Sequence, residues 1–279
     1  MTAAHRAQAA THPANAIPLA GDVAGDGDDL VLVHGLGASL HIWDDVLDDL
    51  ASSWRVHRLD LRGHGETGGP ADPAAYKLHL LAADLSAAIE ERGLTRATVV
   101  AHSLGGAAAL WAALRYPGTF GALVLVDSFT YGLPPQRQAY VRHQLRDLRR
   151  RGPEGAWEAA KAARMSDPNL ALRWLDADFE NARRAEALAV VPQAWVGLGE
   201  ELQRAPSFAS WLWQLDVPLA VMAGEDDTFM LGPSEEIARI TGAPLHVLPK
   251  MGHNAMVERP VLFARSLRGV LDGLKGPQR

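Results

Sequence analysis

The apolar positions of this 279-residue chain fall into two alternating kinds of run. Short unbroken runs recur as Leu30-Val31-Leu32-Val33, Thr98-Val99-Val100-Ala101, Leu123-Val124-Leu125-Val126, Leu219-Ala220-Val221-Met222-Ala223 and Leu245-His246-Val247-Leu248. Such runs read as parallel strands buried on both faces, where neither face is free to be polar. Between them, apolar residues take helical spacing. One such stretch runs from Asp44 to Leu50. Another, from Ala75 to Arg92, sets Leu78, Leu81, Leu85 and Ile89 at helical intervals and ends at Gly93. From Arg259 to Leu274, residues Leu262, Phe263, Leu267, Val270, Leu271 and Leu274 share one broad face. This alternation predicts an α/β fold with a mostly parallel central sheet and helices on both faces.

The alternation stops after Asp127. From Phe129 to about Trp213 the chain offers only helical stretches, broken at Pro134-Pro135, Gly152-Pro153, Asp167-Pro168 and Val191-Pro192, and β runs resume at Val217. An all-helical insertion is expected there.

In Ala101-His102-Ser103-Leu104-Gly105 a serine sits between small residues, where an apolar strand meets the helical stretch Gly105-Gly106-Ala107-Ala108-Ala109-Leu110-Trp111. So sharp a turn strains the backbone of its central residue and excludes bulk two positions to either side, which Ala101 and Gly105 respect. The Ser103 hydroxyl then stands clear of the sheet. Leu104 N–H lies at the helix start, where unpaired amides and the helix dipole favour a developing oxyanion. A serine that merely N-caps the helix is the plain alternative.

This segment resembles the nucleophile elbow of the α/β-hydrolase superfamily, with Ala101 in place of the usual first glycine of Gly-x-Ser-x-Gly. Further segments fit in chain order. His34-Gly35-Leu36-Gly37 is similar to the family's His-Gly oxyanion loop, which implies Leu36 N–H as a second oxyanion donor; the third glycine of a dinucleotide fingerprint is missing. Leu59-Asp60-Leu61-Arg62-Gly63-His64-Gly65-Glu66-Thr67 resembles the Asp-x-Arg-Gly-x-Gly turn and reads as structural, with Asp60 and Arg62 tying loops together. Gly224-Glu225-Asp226-Asp227 resembles the acid loop, whose register implies Asp227; Asp226 is a competitor, and Asp127 occupies an alternative acid position used in some relatives. Gly252-His253-Asn254-Ala255-Met256-Val257-Glu258-Arg259-Pro260 resembles the histidine loop before the C-terminal helix and implies His253 as the base. The His102 side chain is expected to point away from the serine, and His34 to organise its loop by hydrogen bonding. The implied catalytic set is Ser103, Asp227 and His253, in the chain order of α/β-hydrolases.

The resemblance implies an α/β-hydrolase fold with an inserted helical cap, in three parts. Residues 1–16 form a flexible leader, 17–128 and 214–279 the core, and 129–213 the cap, or lid. So short a leader leaves little room for the antiparallel hairpin that usually opens this fold, and Ile17-Pro18-Leu19-Ala20 is the only candidate strand. The cap holds Trp157, Trp174, Trp195, Trp211 and Trp213, five of the eight tryptophans. Most read as packing residues, while Phe129, Tyr131 and Trp195 are expected to line an apolar substrate pocket.

Composition narrows the chemistry. A net charge of −6 disfavours nucleic acid as a partner, and the basic run Arg146-Asp147-Leu148-Arg149-Arg150-Arg151 reads as a solvated helix end. Cysteine is absent, which excludes disulfides, thiolate metal sites and a cysteine nucleophile. No His-Glu-x-x-His or similar spacing suggests a metal, and no cofactor is expected. The N-terminal twenty residues lack a secretory core or transit signature, and no segment has the apolar length to span a bilayer. The expected setting is cytoplasmic, with a small-molecule substrate and no membrane partner; a homodimer is left open.

A serine hydrolase acting on a carboxylic ester or lactone through an acyl-enzyme follows from these parts. A serine in the elbow argues against relatives that dehalogenate or open epoxides, which use an aspartate there. Carbon–carbon bond hydrolysis and biosynthetic acyl transfer or cyclisation stay open on the same residues, as does a receptor-like member that binds a ligand with little turnover.

Overall fold

The computed structural model describes residues 15–130, 135–164 and 176–274. Its strands are β1 (Gly21–Ala24), β2 (Asp28–Val33), β3 (Trp54–Leu59), β4 (Thr98–His102), β5 (Ala122–Val126), β6 (Leu219–Gly224) and β7 (Leu245–Leu248). They form one sheet in the order β1-β3-β2-β4-β5-β6-β7, in which β1 is antiparallel to β3 and every other neighbouring pair is parallel. The helices are α1 (Asp44–Ala51), α2 (Leu78–Glu91), α3 (Leu104–Arg115), α4 (Pro135–Arg164), α5 (Ala177–Ala189), α6 (Pro192–Arg204), α7 (Leu231–Thr241), α8 (Ala255–Glu258) and α9 (Pro260–Leu274).

The unbroken apolar runs have a physical reason. Along β4, Val99 and Ala101 enter one core layer and Val100 the other; Val31 and Val33 part from Leu30 and Leu32 in the same way on β2, as do Leu123 and Leu125 from Val124 and Val126 on β5. The first layer includes Leu81, Leu85 and Ile89 of α2 and Ile237 of α7, and the second Val46 and Leu50 of α1 and Phe263 and Leu267 of α9. Burial of each large side chain contributes roughly 1.5–3 kcal/mol, so a polar residue on either face of β2, β4 or β5 forfeits stability on that scale.

Three local expectations need correction. The opening strand is not Ile17–Ala20 but β1, which pairs Gly21 with Leu59 and Ala24 with Val56. It is an edge strand with its first three residues exposed, so it carries no apolar alternation to read. The helix expected from Ala75 begins at Leu78, because Pro73–Ala75 forms its own 3-10 turn capped by the Asp72 carboxylate. Leu262 stands on the exposed side of α9, outside the buried set of Phe263, Ala264, Leu267, Val270 and Leu271.

Connectivity decides where a site can form. The chain steps from β2 outward to β3, then crosses back over β2 to β4 and continues through β5 and β6 to β7. The reversal lies between β2 and β4, and in open α/β sheets ligands bind at such a switch point, beyond the carboxyl ends of the strands. The loops after β2, β4, β6 and β7 bring His34-Gly35-Leu36-Gly37, Ser103, Asp227 and His253 to that edge. The turn after β3 is anchored there by Arg62, whose Nε and Nη2 each donate to the Asp84 carboxylate at 2.6 Å in the interior, while Nη1 and Nη2 also reach the carbonyls of Ala75 and Asn15.

Helices α4 to α6 fill the excursion between β5 and β6. Gly152 (φ 70°, ψ −173°) interrupts α4 where Gly152-Pro153 is expected to break it. Val191 N–H donates to Gly63 O at 2.9 Å, Phe208 N–H to Thr130 O at 2.8 Å, and Lys77 pairs with Glu201. Glu186 of α5 makes the most enclosed of these ties, accepting the Ser39 hydroxyl hydrogen at 2.9 Å beside Arg183, whose Nη2 donates to His41 O. Burial pushes the Glu186 carboxyl up to about 7, against the pull of Arg183 and Ser39. Its folded value exceeds the ordinary 4.5, so the folded chain holds a proton that the unfolded chain has released. The contribution to stability therefore falls as pH rises from 4.5 toward 7 and is flat above that window. Urea unfolding of the parent and Glu186→Gln, at about pH 5 and about pH 8, is expected to show the variant gaining on the parent by up to about 3 kcal/mol at the higher pH. Equal differences at the two pH values would rule out a buried, proton-holding Glu186.

Candidate active site

The turn from β4 into α3 holds Ser103 at φ 52° and ψ −116°, a left-handed backbone rarely adopted by a residue with a side chain. Neighbouring bonds hold it there: Ser103 N–H donates to Val126 O at 2.9 Å, and the Ser128 hydroxyl donates to Ser103 O at 3.0 Å. A Cβ on Gly105 would lie 2.3 Å from His34 O, so only glycine lets α3 pass beneath the loop after β2. The same crowding brings Gly35 against the serine, since a Cβ there would lie 3.0 Å from Ser103 Cβ.

Three of the expected residues meet. His253 Nε2 lies 3.1 Å from Ser103 Oγ, and His253 Nδ1 lies 2.6 Å from Asp227 Oδ2. The Asp227 Oδ1 atom accepts the N–H groups of Phe229 and Met230, each at 3.1 Å, which fixes the buried carboxylate's second oxygen and leaves the first for the imidazole. Asp226, the neighbouring candidate, is exposed. The acid and histidine loops pack together at Gly224, where a Cβ would meet the carbonyl oxygens of Gly252 and Met251 at 2.4 Å.

Asp127 is wholly buried behind this array, at φ 47°. Its Oδ1 accepts Gly224 N–H at 2.9 Å, while Oδ2 has no hydrogen-bond partner among the described residues. Burial first, then the nearby Asp227 charge, holds the Asp127 carboxyl well above the usual carboxylate range. Of the candidate acids, Asp227 alone is within hydrogen-bonding distance of His253.

The His102 ring lies 4.7 Å from the His253 ring, and its Nε2 donates to the His253 carbonyl at 2.8 Å. Ligand atoms of His102, Asp127 and His253 lie within 4.8 Å of one another, a spacing a metal ion could span. Both ring nitrogens of His253 are already engaged by Asp227 and Ser103, so its part in such a set would dismantle that chain. Glu258 is a residue that the sequence reading passed over: its carboxylate accepts N–H from Gly252 and from Asn254, on either side of His253, and so shapes the loop that presents the imidazole. Glu258 reaches back four residues to the Asn254 N–H, one residue beyond the spacing by which a capping box would have announced it.

On the oxyanion side, Leu104 opens α3, so its N–H precedes the first intrahelical acceptor. In the loop after β2, Gly37 N–H is spent on His64 Nε2 and Ala38 N–H on Gly35 O, whereas Leu36 N–H has no partner among the described residues. Beyond Gly37 opens about 520 Å³ of empty space, part of it continuous with solvent, lined by Val141, Gln144, Leu145 and Leu148 of α4, and by Trp157, Ala187 and Trp195. No charged side chain is among these lining residues. Trp195 lines it and lies so close to Gly37 that a Cβ there would sit 2.5 Å from the indole. Phe129 is instead buried in the core layer beside α3, and Tyr131 and Trp174 lie outside the described residues. Trp157 is buried, whereas Trp211 and Trp213 are 50% and 75% exposed.

A strained serine linked through an imidazole to a buried carboxylate can perform nucleophilic acyl transfer. The model of the alpha/beta hydrolase fold matches residues 29–260, and the chain belongs to that family of enzymes. It is 27% identical over 245 residues to a putative 2-succinyl-6-hydroxy-2,4-cyclohexadiene-1-carboxylate synthase of Bacillus subtilis (strain 168), covering 85% of this chain and 87% of the relative. Among solved structures, an enol-lactonase from Burkholderia xenovorans LB400 matches with a TM-score of 0.79 at 21% identity, over 91% of this chain and 96% of its own. A thermophilic esterase from Thermogutta terrifontis matches with a TM-score of 0.76 at 23% identity, over 92% and 93%. At those identities the likeness to the two structures is one of fold.

The two buried aspartates separate by experiment. Asp227→Asn is expected to lower kcat by roughly a thousandfold to ten-thousandfold, because the amide cannot hold the Nδ1–H tautomer. Asp127→Asn, isosteric with a neutral carboxyl, is expected to stay within about tenfold of the parent. Steady-state kinetics on one ester decide, and a reversed ranking would move the acid to Asp127.

Proposed function

We propose that this chain is a serine hydrolase that cleaves a carboxylic ester or lactone of a small to medium, largely apolar substrate through an acyl-enzyme. The observation that carries this reading is the continuous chain from Ser103 Oγ through His253 to Asp227, at 3.1 and 2.6 Å. His253 Nε2 takes the hydroxyl proton as Ser103 attacks the carbonyl carbon. Leu36 N–H and Leu104 N–H stabilise the resulting oxyanion, each contributing about a hundred- to a thousandfold in rate. Asp227 keeps the imidazole in its Nδ1–H form and stabilises the cation. The tetrahedral centre then collapses, the leaving alcohol takes the proton from His253, and a water molecule activated by the same imidazole releases the acid.

The cavity beyond Gly37 supports this substrate range. A cavity whose described walls are apolar, with the Gln144 carboxamide among them, favours an uncharged acyl, aryl or lactone group, because burying an unpaired carboxylate there costs several kcal/mol. The name of the Bacillus subtilis relative specifies a product bearing a succinyl group and a carboxylate. Among the described residues, no cation lines that cavity to match such groups. The esterase and the enol-lactonase that share the fold are in keeping with this reading.

The test is turnover of a p-nitrophenyl ester series and of simple lactones by the parent and Ser103→Ala, with intact mass after treatment with a fluorophosphonate. Turnover and a single covalent adduct, both abolished in the variant with a loss of up to about a millionfold, are expected. Ligand-induced stabilisation with neither turnover nor adduct would favour the receptor-like alternative.

A further inference from the structure

Two buried histidines bind the oxyanion loop to the turn after β3, and they do so reciprocally. His34, from the loop, accepts the Leu61 N–H of the turn on its Nε2 at 3.0 Å. His64, from the turn, accepts the Gly37 N–H of the loop on its Nε2 at 3.2 Å. Each ring donates its Nδ1–H to a carbonyl of its own segment, His34 to Gly35 O at 2.7 Å and His64 to Arg62 O at 3.0 Å. The rings lie 5.0 Å apart and neither is exposed. Asp60 adds a further tie across the same seam, accepting Leu40 N–H on one oxygen, while its other oxygen accepts Glu66 N–H within the turn.

This exchange acts on a particular peptide group. In a planar trans peptide the C=O and N–H point in opposite directions. His34 and Ala38 N–H hold the Gly35 carbonyl to one side, so the Leu36 N–H of the same peptide is aimed to the other. His64 fixes the next peptide by taking Gly37 N–H, and Gly35 itself is pressed against Ser103. Leu36 N–H, which has no partner among the described residues, is thereby left to meet a ligand.

We propose that His64 is a positioning residue of the oxyanion hole: by accepting Gly37 N–H it sets the Leu36 amide toward the carbonyl that Ser103 attacks. The inference rests on the hydrolase reading above. Both rings must be neutral for their Nε2 atoms to accept, and burial supplies that condition by pushing His64 down to about 4 and His34 well below its ordinary value. A donor displaced by an ångström or less costs on the order of a hundredfold in rate while leaving ground-state binding almost untouched.

Two isosteric halves of the imidazole separate positioning from bulk and polarity. His64→Gln carries an acceptor near the place of Nε2, and His64→Asn keeps the bond to Arg62 O but has nothing to offer Gly37; His64→Phe keeps the ring alone. The readouts are kcat and KM on a p-nitrophenyl ester, and the inhibition constant of phenylboronic acid, which adds to the serine as a tetrahedral anion. His64→Asn and His64→Phe are expected to lose about ten- to a hundredfold in kcat with KM within about threefold, and to weaken the boronate by a matching factor, while His64→Gln recovers most of both. Should His64→Phe fail to fold, the Asn and Gln pair still decides. Equal boronate affinity in parent and Asn variant, or a Gln variant no better than Asn, overturns the proposal. A parent that neither turns over esters nor binds the boronate overturns the hydrolase reading itself, an outcome distinct from either of those.

Discussion

The site depends first on how closely two stretches of backbone approach one another. Gly105, the second residue of α3, passes under the carbonyl of His34 with no room for a methyl group, and Gly35 lies tightly over the serine. That approach joins the ends of β2 and β4, the two strands between which the sheet changes direction. It forces Ser103 into a left-handed backbone, and the strain is retained because the hydrogen bonds to Val126 and Ser128 and the burial of α3 leave no relaxed alternative. In the proposed reading, nucleophile and oxyanion donors thus belong to one rigid contact, and preorganisation of that kind is the larger part of what such a site supplies.

A second level of organisation keeps the histidine and its acid in register with that contact. Glu258 grips the backbone on both sides of His253, His102 supports its carbonyl, and the acid loop closes on the histidine loop at Gly224. Asp127 beneath them, its carboxyl held well above the usual range by burial, adds volume and one hydrogen bond, which in the proposed reading leaves Asp227 as the carboxylate that answers the imidazolium.

Much of this was legible in the chain because the chemistry restricts residue type where the backbone is crowded. Ser103 between Ala101 and Gly105, the two glycines around Leu36, and the acid and histidine loops after apolar runs all announce themselves, and the strands between them are readable because both faces are buried. What escaped has a common cause, namely dependence on partners remote in sequence. β1 is an exposed edge with no pattern of its own. The side of β4 to which His102 turns is fixed by parity, but that a carbonyl 151 residues later waits there is not. The choice between Asp226 and Asp227 turned on one residue of register, and Glu186 gained its unusual setting only because α5 came down on Ser39. Phe129, expected in a pocket, is drawn into the core by α3.

The excursion of α4 to α6 leaves and rejoins the sheet between two adjacent parallel strands, β5 and β6, and meets the loops after β2 and β3 through bonds such as Val191 to Gly63 and Glu186 to Ser39 and through packing such as Trp195 against Gly37. Reactive groups and cavity walls therefore come, for the most part, from separate stretches of chain. Sequence drift in the helical stretch can remodel what is admitted while the atoms that break the bond stay where they are. A lineage carrying this scaffold is free to change diet without relearning chemistry.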